Sequence, residues 1–153
     1  MRVLLLVLLM VAADEGEQLK VKRVLAEMRT MAAAVEAYAN EHGAVPRAAT
    51  MAELKEAVDP RYVQGLHITD PWGTDYRYAA TDDGKHYRII CAGSDAKFEK
   101  AYDKMKADAP KQQLSPDATY DIVYQDGAFR VVPEGFERAF TLHEERRVVP
   151  FPR

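Results

Sequence analysis

The residues of this 153-residue chain whose types could carry catalysis or hold a transition metal are few. His42, His67, His86 and His143 stand too far apart for the His-x-x-x-His or His-Glu-x-x-His spacings that bring two imidazoles onto one helix face. They are expected as surface or partly packed side chains. Cys91 is alone, so no internal disulfide can form, and it sits in the strand-like run YRIICAG, where a buried, inert thiol is expected instead of a nucleophile. Ser94 and Ser115 lie in no Gly-x-Ser-x-Gly frame. Asp82 and Asp83 precede Gly84 and read as turn chemistry, not as a carboxylate dyad. No glycine-rich phosphate loop is present, and no catalytic constellation emerges. One stretch remains: TDPWGTDYRY, residues 69–78, which frames the only tryptophan, Trp72, with aspartate, proline and glycine. It is either a ligand platform or a joint between two pieces of structure.

The elements that would position these residues follow from the hydrophobic period. Between residues 17 and 42, Val21, Val24, Met28, Met31, Val35, Tyr38 and His42 recur at three- and four-residue steps, widened by Leu25, Ala32 and Ala39. That is one apolar face of a long helix, which Gly43 and Pro46 should stop. Thr50 followed by Glu53 predicts a capping box at the start of a second, shorter helix that ends at Asp59-Pro60. The period then changes to strands. Residues 76–79 and 86–92 flank Asp83-Gly84, and a second pair in TYDIVYQDGAFRVVP flanks Asp126-Gly127. Both dipeptides are hairpin signals. The polar residues 97–107 between the hairpins are compatible with helix. Tyr76, Tyr78, Tyr87, Tyr120, Tyr124 and Phe129 are expected in core and cross-strand packing. The long helix needs cover and the sheet has one apolar face, so an α+β fold is predicted, with the N-terminal helix packed on a small antiparallel sheet.

Composition restricts the function classes. Twenty-one Lys and Arg against 24 Asp and Glu leave a net charge of −3 with no basic stripe, which gives no reason to expect nucleic acid. Length and a 48% hydrophobic content suit one compact domain. The run VLLLVLLMVAA, residues 3–13, is shorter than the roughly 20 apolar residues of a membrane span. It fits the apolar region of an export signal cleaved before Asp14, with a short uncleaved apolar anchor as the other reading. The domain is then expected over residues 14–135, followed by a C-terminal tail over residues 136–153.

The order of these parts resembles a known family. LAEMRTMAAAVEAYANEHGAVP, with Tyr38 before Gly43 and Pro46, is similar to the helix end of type II secretion pseudopilins. DPWGTDYRY resembles the DPWG-x-x-Y-x-Y segment of the major pseudopilins, HYRIICAGSDAKFE resembles their next segment, and DIVYQDGAFRVVPEG is similar to their closing hairpin. The resemblance runs from about Leu25 to Gly135. The family's processing junction, Gly-Phe-Thr-Leu-x-Glu, has no counterpart in MRVLLLVLLMVAADEGEQ.

The resemblance implies a helix laid on a small antiparallel sheet and a non-enzymatic, structural role in a type II secretion or type IV pilus-like system. Its partners would be other secretion-system proteins or further copies of itself, and its place the periplasm or cell envelope. The alternative is a free periplasmic module that uses the same globular domain to bind a partner or calcium. The family's calcium loop implies Asp95 and Asp121 as ligands here, with Asp117 and Glu99 as further oxygen donors. The family's glycine after the first of these aspartates is replaced by Ala96. Trp72 is expected to be largely buried at the seam between helix and hairpin.

Overall fold

In the computed structural model, residues 2–141 are described, with side chains from Glu15 onward. The proposed cleavage point, the apolar run before it and residues 142–153 of the tail, with His143, lie outside the residues whose side chains are described. Helix α1 (Arg2–His42) is followed by α2 (Met51–Val58), then β1 (Arg77–Ala80), β2 (Tyr87–Cys91), β3 (Gln113–Ser115), β4 (Ile122–Gln125) and β5 (Ala128–Pro133). The strands form one sheet in the order β1-β2-β4-β5-β3. All neighbours are antiparallel except β3, which runs parallel to β5. The α+β arrangement expected from the sequence is the one observed.

Local chemistry explains the boundaries. The Gly43 N–H returns to the Ala39 carbonyl at 2.8 Å, closing α1 as its glycine predicts. At the start of α2, the Glu53 N–H donates to Thr50 Oγ1 at 3.2 Å, while the Glu53 carboxylate accepts from the Ala49 N–H at 2.8 Å. The reciprocal pair is a capping box displaced by one residue on its return bond. Gln125 pairs with Ala128 across a two-residue turn in which Asp126 and Gly127 both have positive φ, 50° and 88°. That is the backbone geometry an Asp-Gly hairpin selects.

The sheet has two different faces. On one, Tyr76, Tyr78, Tyr87, Ile89, Ile122, Tyr124, Phe129 and Val132 pack with Val21, Val24, Met28, Met31 and Val35 of α1. Leu54 and Val58 of α2 and Ala139 join the same core, with Phe136 and Phe140 against it. Those last three belong to the segment after β5, where Glu137–Phe140 forms a 3-10 turn. On the other face lies a small cluster of Ile90, Tyr102, Val123 and Val131, with Phe98 against it. The alternation along β2 and β4 assigns each residue to its face, as a period of two requires.

The covering element of the second face is not a helix, although its sequence permits one. Residues 97–107 contain only a 3-10 turn, Lys100–Tyr102. Arg88 explains the irregular path. It is buried, donates from Nε to Gln125 Oε1 at 2.8 Å, and donates from Nη1 to the carbonyls of Tyr102 and Lys104 at 3.4 and 3.3 Å. Gln125 Nε2 reaches the Lys106 carbonyl at 3.0 Å. Carbonyls spent on these side chains do not close helical turns, so the segment becomes a strap. Its last part continues into β3, an element with no signal in the sequence beyond three ordinary residues. Three residues carry too few alternations to register as a strand.

Candidate functional site

The DPWG stretch is built around Asp70, which is buried. Its Oδ1 accepts from the N–H groups of Trp72 and Thr74 at 2.9 and 3.0 Å, and its own N–H donates to the Thr74 carbonyl at 2.8 Å. Oδ2 accepts from the Cys91 thiol at 3.3 Å. One carboxylate therefore shapes the turn and ties it to β2. Burial is the main cause that pushes the Cys91 thiol far above its ordinary range, so it stays protonated and serves as a donor.

Trp72 departs from expectation. It is half-buried, packed on the flank of the core, and not enclosed in the helix–hairpin seam. The indole N–H explains this: it donates to Glu17 Oε2 at 3.0 Å, and Lys20 Nζ lies 5.9 Å from the ring centroid. A tryptophan edge that reaches a carboxylate near the surface cannot also be sealed in an apolar seam. Further along α1, Tyr76 donates its hydroxyl to Glu27 at 2.6 Å and Tyr87 donates to Glu36 at 2.8 Å. Glu27 also receives Arg23 at 2.8 Å and has His67 Nδ1 at 3.1 Å. Burial alone would raise the Glu27 pKa, but the bonds from Tyr76, Arg23 and His67 hold it below the usual range. These pairs fix α1 to the sheet in rotation as well as in depth, and α1 carries the chain towards residues 2–14.

The second arrangement is a pair of loops at the start of β4. Gly93 has φ 74°, and a Cβ placed on it would lie 2.5 Å from the Ala118 carbonyl oxygen and 2.6 Å from that of Tyr120. The Ser94 N–H bonds the Ala118 carbonyl at 2.8 Å, so the two loops touch backbone to backbone. Asp121 lies next to this contact, fully buried. Its Oδ2 accepts from the Glu99 N–H at 3.0 Å, whereas Oδ1 has no partner. Burial first, then the charges of Glu99 and Asp95, push its pKa up to about 6.

The implied calcium ligands are thus divided. Asp95 and Glu99 are close enough to act on Asp121 electrostatically. Asp95 is exposed and its Oδ1 accepts from the Lys97 N–H at 2.9 Å. Asp117 turns away into its own loop, where Oδ1 accepts from the Thr119 N–H at 2.8 Å and from its hydroxyl at 2.5 Å. Ala96 has φ 58°, the left-handed conformation in which a glycine carries no penalty. Among the described residues, no three His, Cys, Asp or Glu side chains form a ready metal-ligand group. Asp121 Oδ1 is a buried oxygen without a partner, and Asp95 and Glu99 act on it through their charge. Sequence reasoning supplied these names but not the burial of Asp121, because burial is a property of the loop contact at Gly93.

A groove of about 880 Å³ lies between α1 and the segments on either side of β4 and β5. Val21, Leu25, Ala118 and Phe136 give it apolar walls, and Asp117 and Glu137 are among its polar lining. Among the described residues no helix is long and apolar enough to cross a membrane.

No curated protein and no solved structure matches the chain. A family model does: the one described as type II secretion system (T2SS), protein G, matches residues 11–108. That span holds α1 from residue 11 onward, α2, the DPWG turn, the first hairpin and the strap over residues 97–107, and leaves β3 and the closing hairpin outside. With well over half of its length matched, the chain belongs to the type II secretion system protein G family, the pseudopilins.

Proposed function

We propose that this chain works by assembly and not by chemistry, as a structural subunit or accessory of a type II secretion or type IV pilus-like machine in the cell envelope. The observation that carries the reading is the way α1 is held. Tyr76–Glu27, Tyr87–Glu36 and Trp72–Glu17 bond the helix to the sheet side at three levels, Glu27 and Glu36 from opposite edges of its apolar face. A helix held in this manner is a rigid rod that can present the rest of its length to other subunits. Deleting the gene in its host should block export of the machine's cargo, and the full chain should restore it. Export that continues unchanged in the deletion strain defeats the reading.

The calcium reading is favoured by the unpartnered Asp121 Oδ1. Calcium would be held by Asp121 with Asp95 and Glu99, would offset two of their three negative charges and would tie the strap to the start of β4. Asp117 is not needed for this. Millimolar calcium is expected to raise the melting temperature of the wild type and to leave Asp121→Asn unmoved. A wild type that melts identically with calcium and with chelator contradicts it.

A further inference from the structure

The groove along α1 runs past the point where the described chain ends. Its lining on α1 extends from Glu17 to Arg29, twelve steps and so about 18 Å along the helix. Another wall is the segment after β5, residues 133–139. Thr141, the last described residue, follows that wall by two positions. Whatever follows Thr141 therefore starts at the rim of the groove.

The walls mix apolar surface with charge. Val21, Leu25, Pro116, Ala118, Pro133 and Phe136 supply the apolar part. Asp117, Glu134 and Glu137 stand among them, all exposed, and none makes an ion pair among the described residues. Bonds from Thr119 hold the Asp117 carboxyl below its usual range, and the backbone N–H groups of Glu137 and Gly135 do the same for Glu137. Both are ionised at neutral pH. Lys22 and Arg138 add positive charge, likewise outside any described ion pair.

The sequence beyond Thr141 carries the complementary pattern. It reads LHEERRVVPFPR, residues 142–153, with Val148, Val149 and Phe151 directly behind Arg146 and Arg147. Pro150 and Pro152 fix φ and bring no N–H. An extended path there costs less to order and leaves fewer donors to satisfy against apolar walls. Residues 148–152, extended, reach about 17 Å, which matches the helix side of the groove. Residues 142–147 reach about 20 Å, enough to turn back from Thr141. Glu144 and Glu145, which come first, find opposite charge in Lys22 and Arg138.

We propose that residues 146–152 of the same chain dock in this groove, with Val148, Val149 and Phe151 on its apolar walls and Arg146 and Arg147 against Asp117, Glu134 and Glu137. The docked tail ties α1 to the loop at Ala118 and, through the bond from Ser94 to the Ala118 carbonyl, to the loop pair at Gly93. The groove side of α1 between Glu17 and Arg29 is then covered by the chain's own end, and a second subunit reaches it only by displacing the tail. The docking does not depend on the secretion role.

A nitroxide on the full chain, attached at Arg153→Cys, tests this; Cys91 is fully buried and does not compete for the label. The amide signals of Lys22, Leu25 and Ala118 are expected to broaden beyond detection. Those of β1, across the sheet from β5, should keep their intensity. Val149→Asp combined with Phe151→Asp should restore all three signals while circular dichroism stays unchanged. Sharp signals at Lys22, Leu25 and Ala118 in the labelled chain overturn the docking. Equal broadening in the double variant does so too, because the tether alone would then keep the nitroxide near. When isotope-labelled chains without nitroxide are mixed with nitroxide-bearing chains, the three signals should stay sharp. Broadening in that mixture gives the groove to the tail of a second copy and overturns docking within one chain.

Discussion

The two faces of the sheet solve the same problem with opposite chemistry. The face against α1 buries aliphatic and aromatic side chains, and its polar atoms are tyrosine hydroxyls whose partners, Glu27 and Glu36, reach in from the helix. The other face buries an arginine, a glutamine and, at its margin, an aspartate beneath an irregular strap. Dispersion and transfer free energy dominate the first face, so it tolerates changes of partner but not loss of volume. Satisfied hydrogen bonds hold the second, so it tolerates little change in backbone path. The strap has no helix of its own to keep it in place; Arg88 and Gln125 do that work through its carbonyls.

The contrast can be broken at both faces. Phe129 is 1% exposed and meets Tyr124 edge to face at 4.9 Å, with the Arg29 guanidinium 5.1 Å from its centroid. Phe129→Ala should cost about 3–5 kcal/mol in urea unfolding, the price of a core aromatic; a cost below about 1 kcal/mol would mean the helix face is not the main core. At the loop pair, Gly93→Ala places a methyl 2.5 Å from a carbonyl oxygen and forces alanine into positive φ. About 2–4 kcal/mol is expected from the combined overpacking and strain. Hydrogen exchange should then show opening of residues 93–121 before α1, and uniform opening would deny the loops a separate identity.

A smaller effect separates the faces by pH. The Asp121 pKa is raised to about 6 in the fold, mainly by burial. A raised carboxylate favours the fold while protonated: its contribution is complete below the ordinary aspartate value near 4 and is lost as pH rises through about 6. The loss is up to about 3 kcal/mol between pH 4 and pH 7, at 1.36 kcal/mol per unit. In calcium-free buffer, Asp121→Asn should flatten that part of the stability profile and be the more stable chain at pH 7.5. An unchanged slope would show that Asp121 is hydrated. The smallest expected effect is Ala96→Gly, which relieves a positive φ and should stabilise by about 0.5–1 kcal/mol. A destabilised variant would show that the turn at Asp95 gains more from the stiffness of alanine than it loses to strain.

The helix face was legible from sequence because its information is periodic. Val21, Val24, Met28, Met31 and Val35 mark one side of α1 by spacing alone, and all five are buried there. The Asp-Gly turns announced both hairpins, and Thr50 with Glu53 announced α2. The path of the strap was not legible because its lysines and alanines are compatible with helix, while the groups that overrule them, Arg88 and Gln125, lie well away in the chain. Trp72 was misplaced for a related reason. Its size argues for burial, and only the arrival of Glu17 from another element shows why one edge stays near the surface.

By itself, then, the sequence determined both helices, both hairpins, their order and the family, but not β3 or the strap, since period, caps and turn residues act within a few positions. Tertiary structure alone decided which aspartate is buried without a partner, how Asp70 fixes the DPWG turn to β2, and where Trp72 faces. These outcomes depend on groups brought together from distant parts of the chain, and the solvation of a carboxylate or an indole edge is set by those neighbours and not by its own residue type.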